Sequence, residues 1–261
     1  MNFGVPNSKR DVIVTSVNVA VTNGETFPRL QTYFNMNSPR DASDPDSTLL
    51  SLGAIVLCGG QSSRLGIDKQ ELMFDGKTFL ETIVLALQPV VRRILLVGNV
   101  NVDRHRLPDS VLIGQDQRLG KGPLEGIRVG LEALANDCEY AYVSSCDVPL
   151  LTGDLVEFLF ARIGDADAIV PTKGPRQYGM TAIYRTGLHT AVDQRIQQNK
   201  LRVCNLAEGF QLTNIDAEEL RVVDPELDTL TNVNSAEDYF RLLKRFGQQC
   251  PEELLQRLLI N

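Results

Sequence analysis

The segment LCGGQSSRLGIDK, residues 57–69, follows directly on an apolar run at 54–56. An apolar run that ends in adjacent glycines predicts a buried strand turning into a loop. Glycine lets such a loop adopt positive φ, and its successive backbone N–H groups can bind an anion. Arg64 and Lys69 add two positive charges. The segment therefore predicts a loop that binds a polyphosphate at the carboxyl end of a strand.

Two better-known phosphate loops do not fit this segment. The dinucleotide pattern GxGxxG fails because Gly59 and Gly60 are adjacent and the next glycine is Gly66. The P-loop GxxxxGK[ST] fails because Gly60 and Gly66 are one position too far apart and Ile67 follows. The loop belongs to neither class.

From residue 52 onward, short β-branched runs alternate with amphipathic runs. This alternation predicts an α/β protein with a three-layer α/β/α, Rossmann-like fold and a mixed, mostly parallel sheet. Ligands of such sheets bind at the carboxyl ends of the strands. We predict strands at 53–58, 93–98, 111–115, 140–145, 166–171, 180–185 and 220–223, and helices at 77–90, 122–136, 152–163, 186–198, 235–246 and 251–259.

The first fifty residues differ in composition from the rest. They include NSPRDASDPDS, which is rich in Ser, Pro and Asp, and one alternating piece at 11–22 that is a candidate strand. We predict a flexible N-terminal extension over 1–50, with Met36 as a candidate true start. The α/β domain is expected over 51–247 and a short helical tail over 248–261.

Bulk composition excludes several function classes. A net charge of −7 argues against nucleic acid as the main partner, and no apolar run approaches the ~20 residues of a membrane span. The N-terminus lacks the pattern of a secretory signal, so we expect a cytoplasmic protein. Five cysteines without a CxxC pair argue against a zinc site or a disulfide framework. Both histidines lie outside every motif, which disfavours a Ser-His-Asp or Cys-His mechanism.

A second motif is GPLEGI at 122–127, preceded by Asp116. A Gly-Pro turn here predicts the start of an amphipathic helix whose free N–H groups can bind an anion or a base edge. Asp116 on its own is typical of a turn at a strand end.

A third motif is SSCDVPLL at 144–151, where a predicted strand delivers Asp147 to the edge of the sheet. A carboxylate in that place can hold Mg²⁺, which prefers hard oxygen ligands and bridges substrate phosphates. The alternative is a helix cap, but Thr152 and Asp154 are nearer candidates for that role. Cys146 is expected to pack in the strand.

A fourth motif is LTNVNSAEDYFRLL at 230–243. Ser235 and Asp238 have the spacing of a capping box, which predicts a helix start just after Asn234.

These four motifs, in this order over residues 54–243, resemble the nucleotidyltransferases related to molybdenum cofactor guanylyltransferase. The resemblance implies the nucleotidyltransferase fold for 51–247 and a Mg²⁺-dependent transfer of GMP from GTP to the phosphate of molybdenum-molybdopterin, with release of pyrophosphate. It also implies molybdoenzymes or cofactor chaperones as partners that accept the product. Ser235-Ala236 replaces the family's Thr-Pro.

The resemblance also implies the site residues. Lys69, Arg64 and Asp147 would be catalytic, and Asp147 with Asn234 would hold the metal. Lys200 and Arg202, in the basic segment 199–203, would bind the acceptor, although cations at a helix C-terminus also explain them. The implied nucleotide-binding residues are Leu57, Cys58, Gly59, Gly60, Lys69, Asp116, Gly122, Pro123 and Asp147.

The choice of substrates stays open at this point. LCGG and GPLEG resemble the guanylyltransferase branch, whereas related cytidylyltransferases tend to carry LAAG. CTP, another phosphorylated acceptor, or a non-catalytic nucleotide-binding module are the alternatives; the presence of Lys69 and Asp147 disfavours the last. Glu125 departs from the family pattern by bringing negative charge near the nucleotide, and Asn99 is expected to replace a family asparagine at the end of the second strand.

Overall fold

The computed structural model describes residues 17–22, 25–30, 52–59, 67–100, 104–203, 206 and 209–259. The chain divides into two compact units, 1–45 and 46–261. In the first unit, strands β1 (Val17–Thr22) and β2 (Glu25–Leu30) pair antiparallel. Strand β1 falls within the alternating piece at 11–22, and β2 was not predicted. The flexibility of residues 1–50 stays a prediction.

The second unit is an α/β structure. Its strands are β3 (Leu52–Cys58), β4 (Met73–Phe74), β5 (Lys77–Thr78), β6 (Arg93–Gly98), β7 (Val111–Gly114), β8 (Tyr140–Ser145), β9 (Ala168–Lys173), β10 (Arg176–Gln177), β11 (Ala182–Arg185) and β12 (Leu212–Asp216). Its α-helices are α1 (Phe79–Leu87), α2 (Pro123–Leu134), α3 (Gly153–Phe160), α4 (His189–Gln197), α5 (Ala236–Arg245) and α6 (Glu252–Leu259).

The main sheet has the strand order β10-β9-β11-β8-β3-β6-β7, with β12 paired to β9. Strands β8, β3, β6 and β7 are parallel neighbours, β12 runs parallel to β9, and β11 and β10 are antiparallel to theirs. The mixed, mostly parallel sheet expected from the sequence is confirmed. Because β3, β6 and β8 are parallel, their carboxyl ends meet at one edge.

Helices cover both faces of this sheet. Ala54 and Val56 of β3 pack with α1 and α3 in one apolar layer, whereas Ile55 and Leu57 pack with α2 and α4 in the other. This alternation is the period-2 pattern of a central strand. The three-layer arrangement is therefore confirmed.

Helix α2 lies unusually close to β3. A Cβ on Gly130 would stand 2.6 Å from Ile55 Cδ1, and one on Gly126 would stand 2.8 Å from Leu57 Cδ2. Two glycines one helical turn apart thus let the helix press its first turns against the strand end. The start of α2 is held beside the loop that follows β3.

One predicted strand is wrong. Residues 220–223 lie in and just after a 3-10 helix, Ala217–Val222, and the strand of that region is β12. The physical reason is the capping box between Asp216 and Glu219, which starts a helical turn where the β-branched pair Val222-Val223 had indicated a strand. The hairpin β4–β5 was missed, although its turn, Asp75-Gly76, carries the positive φ values typical of that dipeptide.

The predicted helices are confirmed with shorter bounds. Helix α1 starts two residues later than expected because Thr78 caps it in a capping box with Glu81. Helix α4 is preceded by a 3-10 turn, Thr186–Leu188. Helix α6 packs with α5 in a third apolar cluster that also contains Ile67 and Leu72. Of the helices in the described residues, none has the length and apolar character to span a membrane.

Candidate active site

The loop after β3 begins with a backbone conformation that favours glycine. Gly59 has φ +124°, whereas Leu57 and Cys58 are buried in the strand. A turn at this position was predicted from the adjacent glycines. Gly60 and Arg64 lie outside the described residues, so their roles stay predictions.

The end of β6 touches the end of β3. Gly98 has φ +113°, and a Cβ there would stand 1.9 Å from the Cys58 carbonyl oxygen, so no other residue fits without moving the backbone. Next to it, the fully buried Gln70 donates its Nε2 to the Asn99 carbonyl oxygen at 2.8 Å and to Asp68 Oδ2 at 2.6 Å. These bonds fix the far end of the glycine-rich segment, and sequence reasoning missed Gln70.

Lys69 meets two of the predicted site residues at this edge. Its Nζ lies 2.9 Å from Asp147 Oδ2 and 2.5 Å from Asn234 Oδ1. Asp147 and Asn234 follow Lys69 by 78 and 165 positions in the chain. The structure therefore brings together Lys69, Asp147 and Asn234, which we call the lysine cluster.

The other oxygen of Asp147 is held by two groups that sequence reasoning missed. Asn232 Nδ2 donates to Asp147 Oδ1 at 2.8 Å, and Ser145 Oγ donates to the same atom. The Val233 N–H also donates to the Asp147 carbonyl oxygen at 2.9 Å. The carboxylate is thus oriented from both strand β8 and the segment before α5. The signal that was available is position: both side chains stand two residues from a predicted ligand.

The cap of α5 orients Asn234. The backbone N–H groups of Asn234 and Ser235 donate to Asp238 Oδ2 at 3.1 and 3.0 Å, and the Asp238 N–H donates back to Ser235 Oγ. Burial raises the pKa of Asp238, but hydrogen bonds from Ser235 and from the two backbone groups outweigh it and lower that pKa. The predicted capping box is confirmed.

The second motif lies at the start of α2. Gly122 is the N-cap with φ +64°, Pro123 opens the helix, and both are exposed. A Cβ on Gly126 would stand 3.6 Å from Asp116 Oδ1, so this carboxylate lies beside the first turn. Partial burial, and then the charge of Glu125, raise the pKa of Asp116. The helix start and Asp116 are adjacent, as the motif order predicts.

Glu125 brings its negative charge beside Asp116, as expected, and two arginines compensate that charge. Its side chain is buried and forms ion pairs with Arg128 and Arg118. Burial raises the pKa of Glu125, but hydrogen bonds and charges from Arg128 and Arg118 lower it below its ordinary value. The carboxylate therefore stays ionised and is paired with both arginines.

Neither buried thiol at the strand ends has the properties of a nucleophile. Burial raises the pKa of Cys146 to about 11, despite a hydrogen bond from the backbone of Gly59, and burial likewise raises that of Cys58. Both side chains pack in the core, as predicted for Cys146. The Cys58 sulfur is therefore directed into the core and contacts the Val56 carbonyl oxygen at 3.6 Å.

The predicted acceptor residues follow the end of α4. Lys200 and Arg202 are exposed, and neither takes part in the lysine cluster as the described residues define it. Their segment packs on the one before β11, since a Cβ on Gly179 would stand 2.8 Å from Val203 Cγ1. Their role stays a prediction.

A Rossmann-like sheet that gathers a glycine-rich turn, a lysine and an aspartate at one strand edge is the architecture of a nucleotide-transferring α/β protein. The sequence profile of the MobA-like NTP transferase domain matches residues 54–207, and the chain belongs to this family.

The names of similar proteins are consistent with this family. The chain is 31% identical over 216 residues to the "Probable molybdenum cofactor guanylyltransferase" of Methanosarcina mazei, covering 78% of this chain and 94% of that one. It is 30% identical to the protein of the same name from Carboxydothermus hydrogenoformans, covering 76% and 98%. The crystal structure of molybdopterin-guanine dinucleotide biosynthesis protein A from Archaeoglobus fulgidus shares the fold, with a TM-score of 0.63 and 22% identity over 75% of this chain and 98% of that one.

Proposed function

We propose that this protein transfers GMP from GTP to the terminal phosphate of molybdenum-molybdopterin. An oxygen of the acceptor phosphate attacks the α-phosphorus of GTP, a new P–O bond forms, and the bond to the β-phosphate oxygen breaks. Pyrophosphate leaves with the electron pair, and the product is the guanine dinucleotide cofactor. The lysine cluster at the edge of β3 and β8 is the observation that supports this most directly.

The reaction depends more on stabilising negative charge than on proton transfer. The attacking phosphate oxygen is already an anion, so no strong base is needed, and repulsion between anions is the main obstacle. Lys69 would stabilise the triphosphate, with the backbone of Leu57, Cys58, Gly59 and Gly60 and with Arg64 toward the β,γ end. Positioning and electrostatic stabilisation dominate reactions of this type.

The lysine cluster has the donor set of a magnesium site. Asp147 Oδ2 and Asn234 Oδ1 already bind a cation, the Lys69 ammonium, and hard oxygens of this kind suit Mg²⁺. Asp147 and Asn234 would hold the ion, and Ser145 and Asn232 would orient the carboxylate. When bound, Mg²⁺ supplies charge neutralisation on the phosphate oxygens.

A magnesium site with only two protein ligands is compatible with this proposal. In the part of the chain that the structure describes, no group of three or more His, Cys, Asp or Glu side chains could hold a metal. Mg²⁺ in nucleotide enzymes keeps waters and takes several ligands from substrate phosphates, so one carboxylate and one amide suffice.

The nucleotide and acceptor would lie on either side of this cluster. Asp116 and the exposed start of α2 at Gly122 and Pro123 would contact the nucleotide. Lys200 and Arg202 would bind the anionic acceptor phosphate. Molybdoenzymes or cofactor chaperones would take up the product.

The test is product formation by purified protein. We would incubate it with Mg²⁺, metal-loaded molybdopterin, and either GTP or CTP, and quantify pyrophosphate and the dinucleotide product. Product with GTP, lost in Asp147→Asn and kept in the control Asp154→Asn on the exposed start of α3, supports the proposal. Product with CTP alone would contradict the choice of nucleotide, and nucleotide binding without any product would favour a binding module.

A further inference from the structure

A buried ion cluster lies beside the start of α2 and outside the lysine cluster. Glu125 is 0% exposed, and its Oε1 lies 2.9 Å from Arg128 Nη2. Its Oε2 lies 3.1 Å from Nε of Arg118, in the segment between β7 and α2. We call Glu125, Arg118 and Arg128 the glutamate cluster.

The glutamate cluster joins three parts of the chain. Arg118 also pairs with Asp193 of helix α4, and Arg128 Nη2 donates to Gln117 Oε1 at 2.8 Å. The Glu125 carboxylate on α2 therefore binds both Arg128 and Arg118. Arg128 in turn binds Gln117 of the loop, and Arg118, the next loop residue, reaches α4.

This loop has few other anchors. Leu119 is 94% exposed, and Gly120 and Gly122 have positive φ with open space around them. An apolar contact at Leu119 therefore does not hold the loop. The contacts that hold the loop between β7 and α2 are the bond of Gln117 to Arg128 and the ion pairs of Arg118 with Glu125 and Asp193.

Stability alone is a weak reason for such a cluster. Buried ion pairs carry a desolvation cost, and well-packed apolar residues in their place are often neutral or stabilising. What an ion pair adds is a fixed arrangement of the groups it joins. Here those groups flank Asp116 and the start of α2, the segment proposed to contact the nucleotide.

We propose that Glu125 is a positioning residue that acts through Arg118 and Arg128 to hold the loop 116–122 in place for the nucleotide. This inference rests on the proposed function for the identity of the ligand. Misplacement of a substrate-positioning element by about 1 Å can cost about 10²-fold in rate. A loop that is loosened rather than displaced should have a smaller effect, and we expect about a tenfold loss of nucleotide affinity.

The test uses three variants of the full chain. Glu125→Gln removes the charge with little change in shape, and Glu125→Met with Arg128→Met replaces the ion pair by apolar groups so that neither charge is left buried alone. Glu132→Gln is the control, because Glu132 also pairs with Arg128 but is half exposed and has no ion pair with the loop. Thermal unfolding reports which variants fold.

Two measurements are made on each variant. Calorimetric titration with Mg-GTP gives the dissociation constant without the acceptor, and hydrogen exchange without nucleotide reports the amides of 116–122. We expect Glu125→Gln and the double variant to bind GTP about tenfold more weakly, with faster exchange in the loop. Glu132→Gln should behave as wild type.

Two results overturn the positioning role. One is wild-type GTP affinity in the folded double variant, whatever its exchange, because the cluster would then be only structural. The other is unchanged exchange of 116–122 in both Glu125 variants. Failure of the proposed function looks different, since wild-type protein would then make no product from GTP and molybdenum-molybdopterin while the exchange difference persisted.

Discussion

The lysine cluster and the glutamate cluster are both built from a cation and a carboxylate, yet they differ in access to water. The side chains of Lys69 and Asp147 are 19% and 11% exposed, whereas those of Arg128 and Glu125 are 6% and 1% exposed. Lys69 and Asp147 come from distant segments of the chain and meet at a strand edge. The second is a local pair, three residues apart on one helix, closed off by packing.

This difference separates two uses of charge. A partly exposed pair can exchange its partner for a substrate phosphate or an ion, since both charges can be resolvated during the change. A buried pair cannot be broken without leaving a charge in the interior. This difference is why we propose a chemical role for the lysine cluster and a positioning role for the glutamate cluster.

The largest expected effect is on turnover from the lysine cluster. Lys69→Ala should lower kcat by roughly 10²–10³, by analogy with the removal of one oxyanion donor, because we propose that its ammonium stabilises the charge of the triphosphate. Pyrophosphate release measures this, and the exposed Lys77→Ala is the matched control. Near-normal turnover of Lys69→Ala would remove the lysine from the mechanism.

The two ion pairs should also differ in stability. Arg128→Met leaves Glu125 buried without its main partner and should lower the free energy of unfolding by about 3–5 kcal/mol. Lys69→Met breaks a part-buried pair whose carboxylate keeps its bonds from Ser145 and Asn232, so it should cost less than Arg128→Met. Urea unfolding measures both; equal losses would show that the two clusters do not differ as proposed.

The backbone contact beneath the lysine cluster should be sensitive as well. Gly98→Ala places a Cβ 1.9 Å from the Cys58 carbonyl oxygen at φ +113°, so we expect a loss of about 3 kcal/mol. Gly187→Ala is the control, since it has open space and an ordinary φ. If urea unfolding shows the same midpoint for both variants, the close approach of β6 to β3 is not as described.

The smallest effect is the pH dependence of the glutamate cluster. The pKa of Glu125 in the folded chain lies below its ordinary value of 4.5. The carboxylate therefore stabilises the fold above about pH 4.5, and this contribution is lost as pH falls through the lower folded-state pKa. The unfolding free energies of wild type and Glu125→Gln, compared from pH 7 to pH 3, should converge at the acid end. A difference that is constant with pH would contradict the ion pair.

Much of the lysine cluster was predictable from the sequence. The turn at Gly59, the strand that ends before Asp147 and the helix cap after Asn234 each follow from local patterns of glycine, β-branched and capping residues. The ends of β3 and β8, which carry Gly59 and Asp147, share one edge because these strands are parallel neighbours, whereas Asn234 precedes α5 and lies on no strand. The resemblance to a known family added the order of the motifs.

The supporting contacts were not predictable in the same way. Ser145, Asn232 and Gln70 act through pairings that depend on tertiary distance, and a position two residues from a predicted ligand was the one local sign of Ser145 and Asn232. The charge of Glu125 was expected, but its pairing with Arg118 was not, because that contact depends on how the loop folds back. The strand expected at 220–223 failed because the cap at Asp216 outweighed two valines.

Nucleotidyl transfer is tested most directly by following the α- and γ-phosphates of GTP separately. Purified protein, Mg²⁺ and metal-loaded molybdopterin would be incubated with GTP labelled on either the α- or the γ-phosphate. We expect the α label to enter the dinucleotide cofactor and the γ label to appear in pyrophosphate, with both transfers lost in Asp147→Asn. Release of the γ label as free phosphate, with none of the α label in the acceptor, would contradict nucleotidyl transfer.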